Sequence, residues 1–417
     1  MTRSRFAFFL CPFSPYYRSV SFLLGFGVLF WAYSDSVRRQ WDFPVYYLAS
    51  RSLWHSVDPY DVAAFQSFAK TQTEVPYGGL AYLYPPLPAR LLYPLAVLPY
   101  FPAAFIWMSL KCAALEAAIV AILSLMRQPP TLLSLGLLHG VAVWFRPLAM
   151  DFDAGNVAVF EFALAAGAMT AWSKGKFTFA AIFLSACGMT KGFPLLLALY
   201  PIHLRERKWI RALLVVLAGI AGMMLFDFRA LQSYVAFYRS PEWQKIWDEQ
   251  VQSFYNCSSV SVILRTFSET YFSAPLYNSP LLVLLLIPLF PILVFSLVCY
   301  AVGRHQKKSG NPFNGNVLSL LFCGLLLIPP RLAGYTLAWT FSPAVQIIFS
   351  SLLRKQYSTL FLATLGVFLF QLNLPPQHVA QGITQLLIDK DFFGLFFLFI
   401  ASFLAVVRKS DSNFKRE

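Results

Sequence analysis

The sequence predicts an all-α polytopic membrane protein: a bundle of about twelve transmembrane helices, with short interfacial helices in its long outer loops. Three observations predict it. The 417 residues are 58% hydrophobic and only 12% charged, about half the charged share of a soluble globular protein. Apolar runs of helical length recur from one end of the chain to the other. The Leu-, Phe- and Ala-rich runs lack the two-residue alternation of an outer-membrane barrel, so helices must satisfy the backbone within lipid.

The net charge of +14 would suggest nucleic acid as a partner of a soluble protein. Here much of the excess sits in short loops and at both termini, where the positive-inside rule explains it, and no nucleic-acid partner is expected. The six cysteines are scattered, most in or beside apolar runs, without metal or disulfide spacing. The five histidines show no ligand spacing, and no nucleotide-binding or nucleophile-elbow signature is present. No metal site and no cofactor are expected.

The first span is predicted over 20–36. Basic residues precede it and no small-residue cleavage site follows, so it reads as an uncleaved anchor. Further spans are predicted over 101–126, 132–150, 156–172, 177–190, 193–204, 210–226, 279–302, 317–330, 335–353, 360–372 and 392–407. The segment Pro85–Pro99 is apolar but short and broken by five prolines, each of which removes a backbone donor. If it does not cross, Arg127, Lys174, Lys176, the clusters at 205–208 and 304–308, Arg354, Lys355, Arg408 and Lys409 share one face. If it crosses, they split. It is therefore assigned as interfacial or re-entrant, with both termini cytoplasmic. The chain reads as a single transmembrane domain, 1–417, with outer loops over 37–99 and 227–278, both rich in amphipathic aromatics.

This topology gathers the unusual polar residues on the outer face. Asp42 follows the first span within the stretch RRQWDFPVYY, ringed by Trp41, Phe43, Tyr46 and Tyr47. Partial desolvation makes a carboxylate a better proton acceptor; the alternative is an acid that caps the next short helix. Asp151 and Asp153 precede Gly155 and Asn156 at the start of a span, where they either cap it or flank a helix end suited to an anion. Arg90, Arg146, Lys191, Arg265 and Arg331 lie near outer ends of apolar segments, where basic residues should be scarce. Arg38 and Arg39 lie on the same side. An anionic lipid-linked substrate would account for such cations, as would ordinary headgroups. Lys111, Glu116 and Glu161 lie inside predicted spans, where charges are functional candidates by default; Lys111 and Glu116, five apart, are read as a loose structural pair.

These residues sit in stretches that resemble glycosyltransferase family 87, integral membrane enzymes of the GT-C superfamily. The stretches are DFPVYYLASRSLWHSVDPYD, YLYPPLPARLLYPLAVLP, RPLAMDFDAGNVAVFEFAL and KGFPLLLALYPIHLRERKW, with a weaker match in PPRLAGYTLAW. The resemblance implies a polyprenyl-phosphate sugar donor, typically mannose, a lipid or glycan acceptor, a bacterial inner membrane and no required metal. It implies that Asp42 is the catalytic aspartate and that the outer loops form the site. Tyr46, Tyr47, Tyr84, Asp153, Asn156, Lys191, Arg331 and Tyr335 are then the candidate substrate-binding residues. Some members place a histidine in the late outer turn, where this chain has Arg331 and Tyr335. The competing functional class is a transporter or flippase of a lipid-linked sugar, but no internal repeat of the transporter kind is visible.

Overall fold

The computed structural model describes residues 15–126, 131–199, 207–270, 273–309, 315–373 and 383–412. Among them the chain is helical throughout, with one isolated bridge between Asn256 and Ala333 and no strand. Six helices are long and apolar enough to cross a membrane, and a bent pair makes a seventh if it forms one span. Four shorter apolar helices accompany them, Ala158–Ser173, Phe177–Lys191, Gly315–Leu327 and Tyr357–Gln371.

In chain order, α1 (Pro15–Tyr33) runs into the 3₁₀ turn Ser34–Arg38. Four short helices follow in the first loop: α2 (Phe43–Trp54), α3 (Val62–Thr71), α4 (Pro86–Leu91) and α5 (Tyr93–Ala96). At six and four residues, α4 and α5 are far too short to cross ~30 Å of hydrocarbon. Next come α6 (Tyr100–Leu125), α7 (Leu132–Trp144), α8 (Arg146–Ala154), α9 (Ala158–Ser173) and α10 (Phe177–Lys191). The helix breaks at Phe145, just ahead of Pro147, which has no amide N–H to continue the ladder back into α7, and the axis bends by 64° between Leu133–Trp144 and Arg146–Ala154. After α10, Gly192 takes a left-handed φ of 74° and Pro194 prevents continuation.

The span expected over 193–204 therefore begins as the 3₁₀ segment Phe193–Ala198, packed back on Gly188 through Leu195. Residues 200–206 lie outside the described residues, as do Arg127, Arg205, Cys11 and the first 14 residues on which the anchor reading rests. The remaining helices are α11 (Arg207–Phe226), α12 (Phe228–Phe237), α13 (Pro241–Gln252), α14 (Ser259–Phe267), α15 (Pro280–Ser309), α16 (Gly315–Leu327), α17 (Phe341–Leu353), α18 (Tyr357–Gln371), α19 (Ile383–Ile388) and α20 (Lys390–Ser412).

Two compact units divide the chain: 1–144 with 148–244, and 145–147 with 245–417. No composition change marks the division, which falls inside α13. In the first unit α9 packs between α6 and α10, and Trp172 of α9 stacks on Trp209 of α11. In the second, α18 and α20 cross closely at Gly366 and Gly394, where a Cβ on either would meet the other's carbonyl oxygen within 3 Å. Small residues at such crossings let backbones approach in lipid. Helix α15 is the opposite case: its Leu281, Leu284, Leu285, Leu289 and Ile292 are exposed, as lipid-facing residues would be.

Arg265 is the polar keystone of the second unit. It is fully buried and paired with Asp389, with Nε 3.1 Å from Oδ1. It also donates to the Ser253 and Asn256 carbonyls and to Ser261 Oγ, so its guanidinium is saturated by protein. Asn256 in turn holds the turn ahead of Tyr335, donating to Pro330 O and accepting from Leu332 N. Removing one partner of such a buried pair costs roughly 3–5 kcal/mol. Arg265→Met is expected to lower stability by that much in detergent unfolding, whereas the exposed Arg354→Met should stay within about 0.5 kcal/mol; equal effects would refute the keystone role.

Candidate functional site

The site grows from the end of α8. Gly155 follows Ala154 with a φ of 67°, a left-handed conformation that favours glycine. The Trp41 and Asp42 amides both donate to the Ala154 carbonyl, at 3.2 and 2.8 Å. Trp107 of α6 donates its indole N–H to the Gly155 carbonyl at 2.9 Å. One helical turn further along α6, Lys111 is fully buried and donates to the carbonyls of Asp151 (2.6 Å) and Asn156 (2.9 Å). Its ammonium also lies 2.7 Å from the Asp151 carboxylate. The turn between α8 and α9 is thus braced from three sides.

Asp42 stands at the N-cap position of α2, yet its side chain does not cap. Its half-buried carboxylate instead accepts a hydrogen bond from Asn156 Nδ2 at 2.7 Å. The same nitrogen lies 2.8 Å from the Tyr46 hydroxyl and 3.3 Å from that of Tyr84, and Tyr46 donates to Tyr84 at 2.8 Å. At the other end of the amide, Asn156 Oδ1 accepts from Lys191 Nζ at 3.1 Å and from the Ala158 N–H at 3.1 Å. Lys191 also lies 3.2 Å from Oε2 of the buried Glu161, whose Oε1 accepts from Thr190 Oγ1 at 2.6 Å. An ammonium only donates and a carboxylate only accepts, so the network fixes the orientation of the Asn156 amide. Burial pushes the Tyr84 phenol upward and Lys191 opposes that, leaving a neutral hydroxyl at ordinary pH.

Five predicted residues therefore meet in the first unit: Asp42, Tyr46, Tyr84, Asn156 and Lys191. Tyr47 does not join them. It is buried, donates to Leu98 O at 2.8 Å and accepts from Arg51, tying α2 to the proline-rich segment. Asp153 accepts from Ser36 Oγ at 2.6 Å and pairs with Arg39 at 3.2 Å, so it anchors the 3₁₀ turn before Asp42. Arg331 and Tyr335 are half-exposed residues of the second unit. Asp151 is inside α8 and caps nothing, and the first backbone donor of α9 is taken by Asn156 itself.

The intramembrane charges pair otherwise than expected. Lys111 and Glu116, five apart, are about 140° apart around a helix, so each faces a different neighbour: Lys111 meets Asp151, and Glu116 meets His139 at 2.5 Å. Arg90 pairs with Asp227 at 2.7 Å, and Arg146 binds Leu372 O and Asn373 Oδ1. Together with Arg265, these cations are engaged by protein groups. Glu161 is the contributor to the cluster that sequence marked only as an intramembrane charge, with no role or partner. Its link to Lys191 spans two helices and leaves no local signal.

Residues 82–330 match the model of glycosyltransferase family 87, more than half of the 417 residues, and the chain belongs to that family. The matched region contains Tyr84, Asn156, Glu161 and Lys191, while Asp42 and Tyr46 precede it. No curated protein and no solved structure matches the chain.

The brace at Gly155 is testable. A Cβ there would lie 2.9 Å from Gln40 Cγ and from Phe43 Cβ, on top of a left-handed penalty of about 1–2 kcal/mol. Gly155→Ala should therefore lower the unfolding temperature in detergent. Gly136→Ala, with nothing within 4 Å of the added carbon, should not; identical behaviour of the two variants would contradict the account.

Proposed function

We propose that the protein is a membrane glycosyltransferase in which Asp42 acts as general base, moving a sugar from a polyprenyl-phosphate donor to an acceptor hydroxyl. The observation that carries this reading is the Asp42 carboxylate. It makes no capping hydrogen bond to the helix it precedes and instead accepts from Asn156, whose amide also meets the Tyr46 hydroxyl and the Lys191 ammonium. A capping acid would face the α2 amides instead. The membrane helices and the family membership supply the reaction class.

In the proposed reaction the acceptor oxygen attacks the anomeric carbon while its proton passes to the Asp42 carboxylate. The bond from that carbon to the phosphate oxygen breaks, and the lipid phosphate leaves with the electron pair. Lys191, the cation of the cluster, offsets the charge that the leaving phosphate gains. With one base and no second carboxylate nucleophile, a single displacement inverts the anomeric centre, by the logic that separates glycosidase mechanisms. The resemblance favours mannose as the sugar. The placement of charged clusters favours an outer-face site with both termini cytoplasmic, and the resemblance favours a bacterial inner membrane.

Asp42→Asn keeps the shape and removes the base. In a reconstituted assay with polyprenyl-phosphate mannose and a membrane lipid extract, it should lose roughly 10²–10⁴-fold or more in turnover with unchanged folding. Near-normal transfer would sink the assignment, and translocation without transfer would favour the transporter class. Transfer should also persist in excess EDTA; loss restored by a divalent cation would contradict the metal-free mechanism.

A further inference from the structure

Glu161 is a carboxylate buried within the apolar helix α9, and the reaction above gives it no step. Burying an ion pair yields no assured net stabilisation, because desolvation offsets the attraction. Intramembrane charges of this kind face functional interiors more often than lipid. The neighbours of Glu161 show where its influence goes. Thr190 fixes Oε1 at 2.6 Å, and Oε2 meets the Lys191 ammonium at 3.2 Å. That ammonium lies 3.1 Å from Asn156 Oδ1, and the far end of the same amide lies 2.7 Å from Asp42. The cation and the proposed base are therefore bridged by one carboxamide, and Glu161 holds the same cation as a second partner.

We infer that Glu161 is a positioning residue that draws the Lys191 ammonium toward itself and so limits how closely the lysine approaches the Asp42 carboxylate, which Asn156 orients. Lysine is a compact charge on a flexible four-carbon stem. Without a counter-anion it would move toward the remaining carboxylate. A direct ion pair there would stabilise the charged form of Asp42 and make it a poorer proton acceptor. Glu161 thus preserves the basicity of Asp42 without touching it. Among the groups around Asp42, Asn156 donates to its carboxylate, and Lys111 and Tyr84 are near enough to interact with it through charge. Those around Glu161 are Lys191, Thr190, Cys187, Tyr84 and Asp151.

The inference rests on the assignment of Asp42 as base, and the test separates the two. The readout is kcat/KM for transfer against pH, whose acidic limb reports the essential base of the free enzyme. A phosphodiester donor does not titrate in that range. In Glu161→Gln the limb should move to lower pH by roughly 1–3 units, and the plateau should fall. Adding Lys191→Met to that variant should return the limb toward its wild-type position, since the freed cation is gone. Thr190→Val loosens Glu161 without removing its charge and should move the limb in the same direction by less; it decides the matter if Glu161→Gln fails to fold. A limb that stays in place while activity falls, or that stays low in the double variant, overturns the inference. If Asp42→Asn retains transfer, the base assignment itself fails; if it is inactive while the limb of Glu161→Gln does not move, only the role of Glu161 fails.

Discussion

The site depends on one carboxamide held between opposite charges. Asn156 can satisfy Lys191 only through its oxygen and Asp42 only through its nitrogen, so neither end can reverse without losing both contacts. Everything upstream serves to put that amide in place. Gly155 turns the chain out of α8 in a conformation that L residues rarely adopt, and the Ala154 carbonyl ties down the backbone of Trp41 and Asp42. Lys111 and Trp107 then fix the carbonyls on both sides of the turn from α6. The carboxylate, the amide and the ammonium come from three segments far apart in sequence, so their alignment is a property of the bundle.

A membrane protein has little freedom in placing charge, and this chain spends its few acids accordingly. Among the described residues, Asp151, Glu116, Glu161 and Asp389 are buried and each faces a cation or a histidine. In a medium with no water to solvate them, unpaired charges would cost several kcal/mol apiece. Asp42 differs in being half-exposed and bound to a neutral amide, with tyrosine hydroxyls around it.

Much of this was legible in the sequence. The apolar runs overlap every membrane-compatible helix among the described residues, because hydrophobic length is a local property, whereas the run over 193–204 begins as a 3₁₀ segment. Asp42 stood out from its position and aromatic setting, and the resemblance to family 87 placed Tyr84, Asn156 and Lys191 beside it. What sequence could not supply was partner choice. Lys111 and Glu116 looked like mutual partners because they share a helix, yet about 140° of rotation sends them to Asp151 and His139. Tyr47 adjoins Tyr46 but, about 100° around α2, donates to Leu98 O. Asp153 and Arg265 looked like candidate ligands for substrate, but one pins the turn before Asp42 and the other locks the second unit internally. Each of these outcomes is set by contacts between segments tens to hundreds of residues apart.

The central claim, that Asn156 acts on the reaction through Asp42, is tested most directly by a double-mutant cycle in kcat/KM. Removing a hydrogen bond to a charged group costs about 1.5–3 kcal/mol, so Asn156→Ala should slow the wild-type enzyme about tenfold to hundredfold. In the Asp42→Asn background the same change should cost little, because the group it orients is gone. Equal costs in both backgrounds would show that Asn156 acts independently of Asp42 and would contradict this account of the site.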